Sequence, residues 1–151
     1  MARIVMKFGG TSVADLDRIR NVAQRVKREV EHGNEVAVVV SAMSGVTNQL
    51  VKGCTELSAL HDAREYDAVV ATGEQVTSGL LAICLQSMGI DARSWQGWQI
   101  PLRTDAAHGT ARIQSIEGTE LVRRMGTGQV AVVAGFQGIA PDNRIATLGR
   151  G

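Results

Sequence analysis

The stretch Arg3-Ile4-Val5-Met6-Lys7-Phe8-Gly9-Gly10-Thr11-Ser12 ends a short apolar run on two glycines and two hydroxyls. Ala2 to Phe8 reads as a buried strand, and the Gly-Gly pair breaks it. Helical spacing follows: Val13, Leu16, Ile19, Val22 or Ala23, Val26 and Val30 fall on one face, with Arg18, Arg20, Arg25, Lys27 and Arg28 on the solvent side. Ser12 is the expected N-cap, with Asp15 in the first turn. Gly33-Asn34 stops the helix, and Glu35-Val36-Ala37-Val38-Val39-Val40 is apolar on both faces, as strands are inside a parallel sheet. Strand, helix and strand make a βαβ unit with a right-handed crossover, which sets the class as α/β.

Working outward, Ser41-Ala42-Met43-Ser44-Gly45 is the next strand-to-helix loop. Val46, Leu50, Val51, Cys54, Leu57 and Leu60 repeat the helical period. A further helical stretch spans Arg64 to Met88, interrupted at Thr72-Gly73-Glu74 and closed by Gly89. Residues 91 to 97 read as a strand, Leu121 to Met125 as a helix, and Gln129 to Ala134 as another buried strand. Gln99 to Ile116 mixes short strand signals with loops. Val36 to Val40 and Val130 to Ala134 are both apolar on two faces, so helices must cover both sides of the sheet. The pattern is one domain without internal repeats.

The 151 residues are 44% apolar, 21% charged and 3% aromatic, so aliphatic side chains and alanine fill the core. A net charge of +1 is too balanced for a binder of nucleic-acid backbones, and no such partner is expected. Cys54 and Cys84 make neither a disulfide framework nor a metal-type spacing. The longest apolar runs are too short to cross a bilayer, and the start lacks a signal-peptide core. A soluble cytoplasmic protein without a membrane partner is the expectation.

In open α/β sheets, ligands bind outside the carboxyl ends of the strands. Four small-residue loops fall there: Gly9 to Ser12, Ser41 to Gly45, Gly135 to Gly138, and Gly149 to Gly151. Lys7, at the end of an otherwise apolar strand, precedes glycines whose N–H groups can approach an anion and a helix whose N-terminus adds positive potential. A lysine there offers a point charge to phosphate oxygens. The same loop also fits a plain tight turn with Lys7 reaching to water. Neither of the two standard glycine-rich nucleotide motifs is present. His108 has no partner at metal spacing and suits a hydrogen-bonding loop role, and no metal-ligating residues are assigned.

Lys7-Phe8-Gly9-Gly10-Thr11-Ser12-Val13 resembles the opening motif of the aspartate kinases, in the amino-acid kinase superfamily. The resemblance continues in order through Ser41 to Asn48, Thr72-Gly73-Glu74, His108-Gly109, Val133 to Gly138, and Thr147-Leu148-Gly149-Arg150-Gly151. It implies a three-layer αβα sandwich with a mainly parallel sheet. It implies phosphoryl transfer from MgATP to the β-carboxylate of L-aspartate, the first step toward lysine, threonine and methionine. Lys7 would be the catalytic cation, and Lys7, Phe8, Gly9, Gly10 and Ser41 would lie at the ATP phosphates. Thr47, Glu74, Arg150 and Gly151 would bind aspartate. The chemistry agrees: an α-ammonium needs a carboxylate such as Glu74, and a substrate carboxylate needs donors such as Thr47 and a cation such as Arg150.

In that family the motif runs on past Gly151 into a nucleotide-binding half and regulatory ACT domains. Residues 1–151 are therefore expected to be the N-terminal, amino-acid-binding part of a truncated kinase domain, self-associating or homo-oligomeric. Two alternatives stay open: a non-catalytic lobe that at most binds aspartate or phosphate, and a related amino-acid or carbamate kinase.

Overall fold

The computed structural model describes residues 1–149. In chain order the elements are β1 (Arg3–Phe8), α1 (Leu16–Glu31), β2 (Glu35–Val40), α2 (Val46–Leu57), α3 (Ala63–Val70), α4 (Thr72–Ser87), β3 (Ala92–Trp95), β4 (Leu102–Thr104), β5 (Ile113–Ile116), α5 (Thr119–Gly126), β6 (Val130–Ala134), β7 (Gln137–Ile139) and β8 (Ile145–Thr147). The βαβ unit forms as its pattern dictates, with β1 and β2 parallel from Arg3 opposite Glu35 to Phe8 opposite Val40. Two further parallel pairings complete a four-stranded sheet of order β1-β2-β6-β3.

The two-faced strands decide the layers. Val36, Val38 and Val40 of β2 pack with Val130 and Val132 of β6 under α1 and α4. Ala37 and Ala131 face the other way, where Met125 of α5 and the indole of Trp95 cover them. Burying aliphatic side chains on both faces contributes about 25 cal/mol per Å² removed from water. The result is the expected αβα sandwich around a parallel sheet. At its edge, β1 pairs only with β2 among the described residues, and Val5 is 67% exposed.

Three local readings change. Asp15, not Ser12, caps α1: its carboxylate accepts from the Arg18 N–H at 2.8 Å. Gly10 to Val13 first form a single 3-10 turn, with the Ser12 N–H donating to the Gly9 carbonyl, so the α-helix starts later. Leu16 therefore sits half-exposed rather than in the core. The break between α3 and α4 falls at Ala71, so Thr72-Gly73-Glu74 opens α4. Ala63–Ser87 is long and apolar enough by composition to cross a membrane, but it is broken at Ala71 and half of its apolar window is buried, with Leu81 and Leu85 packed on the sheet.

The region that mixed strand and loop signals contributes to a second, mixed sheet of order β5-β4-β7-β8. β7 and β8 form a hairpin turned at Asn143, which adopts φ 64°. Asparagine tolerates that left-handed backbone better than most side chains. Strands of three or four residues carry too few alternations to be read locally, and their pairing is non-local.

Candidate active site

A cavity of about 450 Å³ opens at the carboxyl ends of β1, β2 and β6. Gly10, Ser41, Thr47, Asn48, Glu74 and Phe136 all line it, from five separate segments. The loops that converge here are those the parallel sheet brings to one edge.

Glu74 is the most unusual group in the wall. It lies in the first turn of α4 and is only 2% exposed. The Phe136 N–H donates to both carboxylate oxygens, at 2.9 and 3.1 Å. No ion pair to Glu74 forms among the described residues. Burial pushes its carboxyl up to about 8, and the Gln137 side chain and the Phe136 N–H hold back part of that rise. Two glycines make the placement possible. A Cβ on Gly73 would stand 2.9 Å from Ala42 Cβ, so only glycine lets the start of α4 approach the loop after β2. A Cβ on Gly135 would overlap the Val39 side chain, which would push Phe136 away from Glu74.

Across the cavity, α2 begins after Gly45 at φ 81°, and no side chain caps it. Gly45, Thr47 and Asn48 of that helix start line the cavity. Uncapped N–H groups at a helix N-terminus favour negative charge. The helix-end potential expected after Gly9-Gly10 is thus found one βα unit later, because Asp15 occupies the N-terminus of α1. The cavity consequently offers a buried carboxylate on one side and an anion-favouring helix start on the other.

The Gly9-Gly10 loop adjoins this space. A Cβ on Gly9 would meet nothing within 4 Å, whereas one on Gly10 would come 3.3 Å from the Ala42 carbonyl. Gly10 is therefore packed and Gly9 open. Lys7 is exposed at the end of β1 and makes no ion pair among the described residues. The Phe8 side chain packs against the core beneath the loop, so what Phe8 offers to a phosphate is its main chain. Ser41 Oγ lies 3.5 Å from the Ala42 carbonyl, too far for a good O–H···O bond, which leaves the hydroxyl free for a ligand. Arg150 and Gly151 lie outside the described residues.

The structure thus brings Gly10, Ser41, Thr47 and Glu74 to one cavity, whereas Lys7 and Gly9, although close to Gly10 in the chain, do not line it. The sequence reading assigned no role to Phe136 or Asn48. Both were in reach of a signal: Phe136 lies in a small-residue loop and in the Val133 to Gly138 block, and Asn48 closes the Ser41 to Asn48 block of the resemblance. His108 takes the hydrogen-bonding loop role expected of it, beside Asp67 and Asp142.

A cavity walled by a buried carboxylate and a helix start, at the carboxyl edge of a parallel sheet, places the chain among α/β proteins whose ligands bind outside the strand ends. The chain belongs to the amino acid kinase family, whose model matches residues 2–151. It is 49% identical to the aspartokinase of Rickettsia conorii over the whole chain and 48% identical to aspartokinase 2 of Bacillus subtilis. It spans 38% and 37% of the lengths of those two relatives. Among solved structures, the aspartate kinase of Synechocystis superposes with a TM-score of 0.81 at 42% identity, covering 97% of this chain and 24% of that one. Aspartokinase III of E. coli, in complex with aspartate and ADP, shares the fold with a TM-score of 0.81 at 24% identity, covering 100% of this chain and 44% of that one.

Proposed function

We propose that the full-length protein carrying this sequence transfers the terminal phosphoryl group of MgATP to the β-carboxylate of L-aspartate, giving 4-phospho-L-aspartate. Residues 1–151 are its amino-acid-binding part, in a cytoplasmic enzyme on the route to lysine, threonine and methionine. One observation carries this reading: a buried carboxylate, with no ion pair among the described residues, faces an uncapped helix start across a small cavity. A free amino acid carries the matching charges. Glu74 pairs with the α-ammonium, while Thr47 and the start of α2 take a carboxylate, with Arg150 as its cation and Gly151 beside it. The names of the relatives in Rickettsia and Bacillus, and the aspartate and ADP held by the E. coli structure, support the same assignment.

The open space at Gly9 and the exposed Lys7, which makes no ion pair among the described residues, fit the phosphates of a nucleotide. When bound, MgATP supplies the phosphoryl group and a metal ion that offsets its charge. Gly9, Gly10 and the Phe8 main chain hold the phosphates in line, Ser41 donates at the junction with the amino-acid cavity, and Lys7 neutralises oxygen charge that grows in the transition state. The attacking group is a carboxylate already ionised at neutral pH, so no side chain need act as general base. The substrate oxygen forms a bond to phosphorus as the bond to the leaving diphosphate breaks.

The test is hydroxylamine trapping with aspartate and MgATP: an aspartyl hydroxamate is expected. Its absence at saturating substrates overturns the reading, and hydroxamate from another amino acid alone reassigns the acceptor. The 151 residues by themselves are read as a binding lobe, since they span 38% of the first relative's length. Calorimetry should then show weak aspartate binding and no tight magnesium-dependent ATP binding. The unpaired edge of β1, with Val5 exposed, suits edge-to-edge pairing of that chain. Light scattering at micromolar concentration should show particles larger than a monomer, and a monodisperse monomer counts against it.

A further inference from the structure

Away from the cavity, a carboxylate with no solvent exposure is held by donors from distant segments. Asp67, on α3, is 0% exposed. Its Oδ1 accepts from Thr147 Oγ1 at 2.6 Å, its Oδ2 lies 2.8 Å from His108 Nδ1, and the Gly109 N–H reaches both oxygens at 3.1 Å. His108 Nε2 is in turn 3.2 Å from Asp142, in the turn between β7 and β8. The phosphoryl-transfer reading uses none of these groups. Stability explains them poorly, because well-packed apolar replacements of buried charged clusters are often neutral or stabilising.

What the cluster connects is more informative. Thr147 ends β8, and the next residue, Leu148, donates its N–H to the Phe136 carbonyl at 2.9 Å. The Phe136 N–H is the group that holds Glu74. On the other side, one turn of α3 beyond Asp67, Val70 lines the cavity, and the Ala71 carbonyl accepts from Gln137 Nε2 at 3.1 Å. Hydrogen bonds, joined by the Thr147–Leu148 peptide link, therefore run from Asp67 to Phe136 and on to the Glu74 carboxylate. A residue held through both its N–H and its C=O cannot tilt without breaking one bond.

We propose that Asp67 is a positioning residue for the amino-acid cavity: through Thr147 and the His108-Gly109 loop it locks the β7–β8 hairpin on α3 and so aims the Phe136 N–H at Glu74. The proposal rests on the aspartate reading of that cavity. It is tested in the full-length protein with Thr147→Val, which keeps shape and loses the donor, and Thr147→Ser, which restores the donor. Thr147→Val should speed hydrogen exchange at the Phe136 and Leu148 amides and raise KM for aspartate roughly tenfold, the scale of one charge-assisted hydrogen bond. KM for ATP should change little, Tm should fall because the buried Asp67 carboxylate loses a donor, and Thr147→Ser should recover exchange, KM and Tm. Asp67→Asn should shift exchange and KM for aspartate in the same direction.

Unchanged exchange and unchanged KM in both Thr147→Val and Asp67→Asn overturn the proposal. So does a fall in Tm with KM for aspartate unmoved, which marks a purely structural cluster. If the unmodified protein forms no aspartyl phosphate, the substrate reading falls, and exchange at Phe136 alone decides whether the lock exists.

Discussion

Replacing Lys7 by methionine in the full-length protein should lower turnover by about 10²-fold or more, the scale expected when a transition state is deprived of one electrostatic partner. Methionine keeps most of the side-chain volume and removes the cation. Lys7 is exposed at the end of β1 and makes no ion pair among the described residues, so its charge serves no packing need. Charge on the transferred group is greatest as bonds rearrange, and the effect should therefore fall on kcat. KM for aspartate and Tm should stay near their original values. Steady-state kinetics with both substrates checks this. Near-normal turnover with unchanged Tm would make Lys7 a solvated strand-end lysine and remove the phosphate site from β1.

Glu74→Gln should act on the other substrate, raising KM for aspartate by roughly 10²-fold through removal of a buried charged partner while KM for ATP holds. The pH dependence separates charge from shape. Burial keeps the Glu74 carboxyl protonated up to about 8, and pairing with an α-ammonium requires the ionised form. Aspartate affinity should therefore rise about tenfold per pH unit between 6 and 8 and level off above, by linkage. Calorimetry in buffers of different ionisation heat should record close to one proton released per aspartate bound at pH 7.

Stability of the free protein runs the opposite way. Between the ordinary value of 4.5 and about 8, the folded chain holds a proton that the unfolded chain has lost. Stability from this group is full at low pH and is lost as pH rises through 8. Glu74→Gln should flatten both profiles. A pH-independent aspartate affinity in the unsubstituted protein would show that Glu74 does not face the ammonium.

How much of this was legible before the structure depends on how local each cause is. The β1-α1-β2 unit was readable because Val36 to Val40 bury side chains on both faces and α1 repeats its apolar face at helical spacing. Residues 99 to 116 and the β7–β8 hairpin were not, since strands of three or four residues are stabilised by partners far along the chain. Capping failed for a similar reason. Ser12 and Asp15 both carry a capping oxygen, and the 3-10 turn at Gly10–Val13 decided between them.

The site divides along the same line. The roles proposed for Lys7, Gly9-Gly10, Ser41, Thr47 and Glu74 came from the resemblance of their motifs to the aspartate kinases, and residue chemistry agreed with them, because phosphates, ammonium groups and carboxylates each demand a particular partner type. What the sequence by itself determined is the class of the fold and the kinds of group at its edge, since hydrophobic period and residue chemistry are local properties. Tertiary structure alone decided that Glu74 is buried and held by Phe136, that the uncapped helix facing it is α2 rather than α1, and that Asp67 reaches Phe136 through Thr147 and Leu148. Each of these depends on burial, on competing caps, or on an interaction between segments 60 or more residues apart, and solvent exclusion exists only once the sheet has brought those segments together.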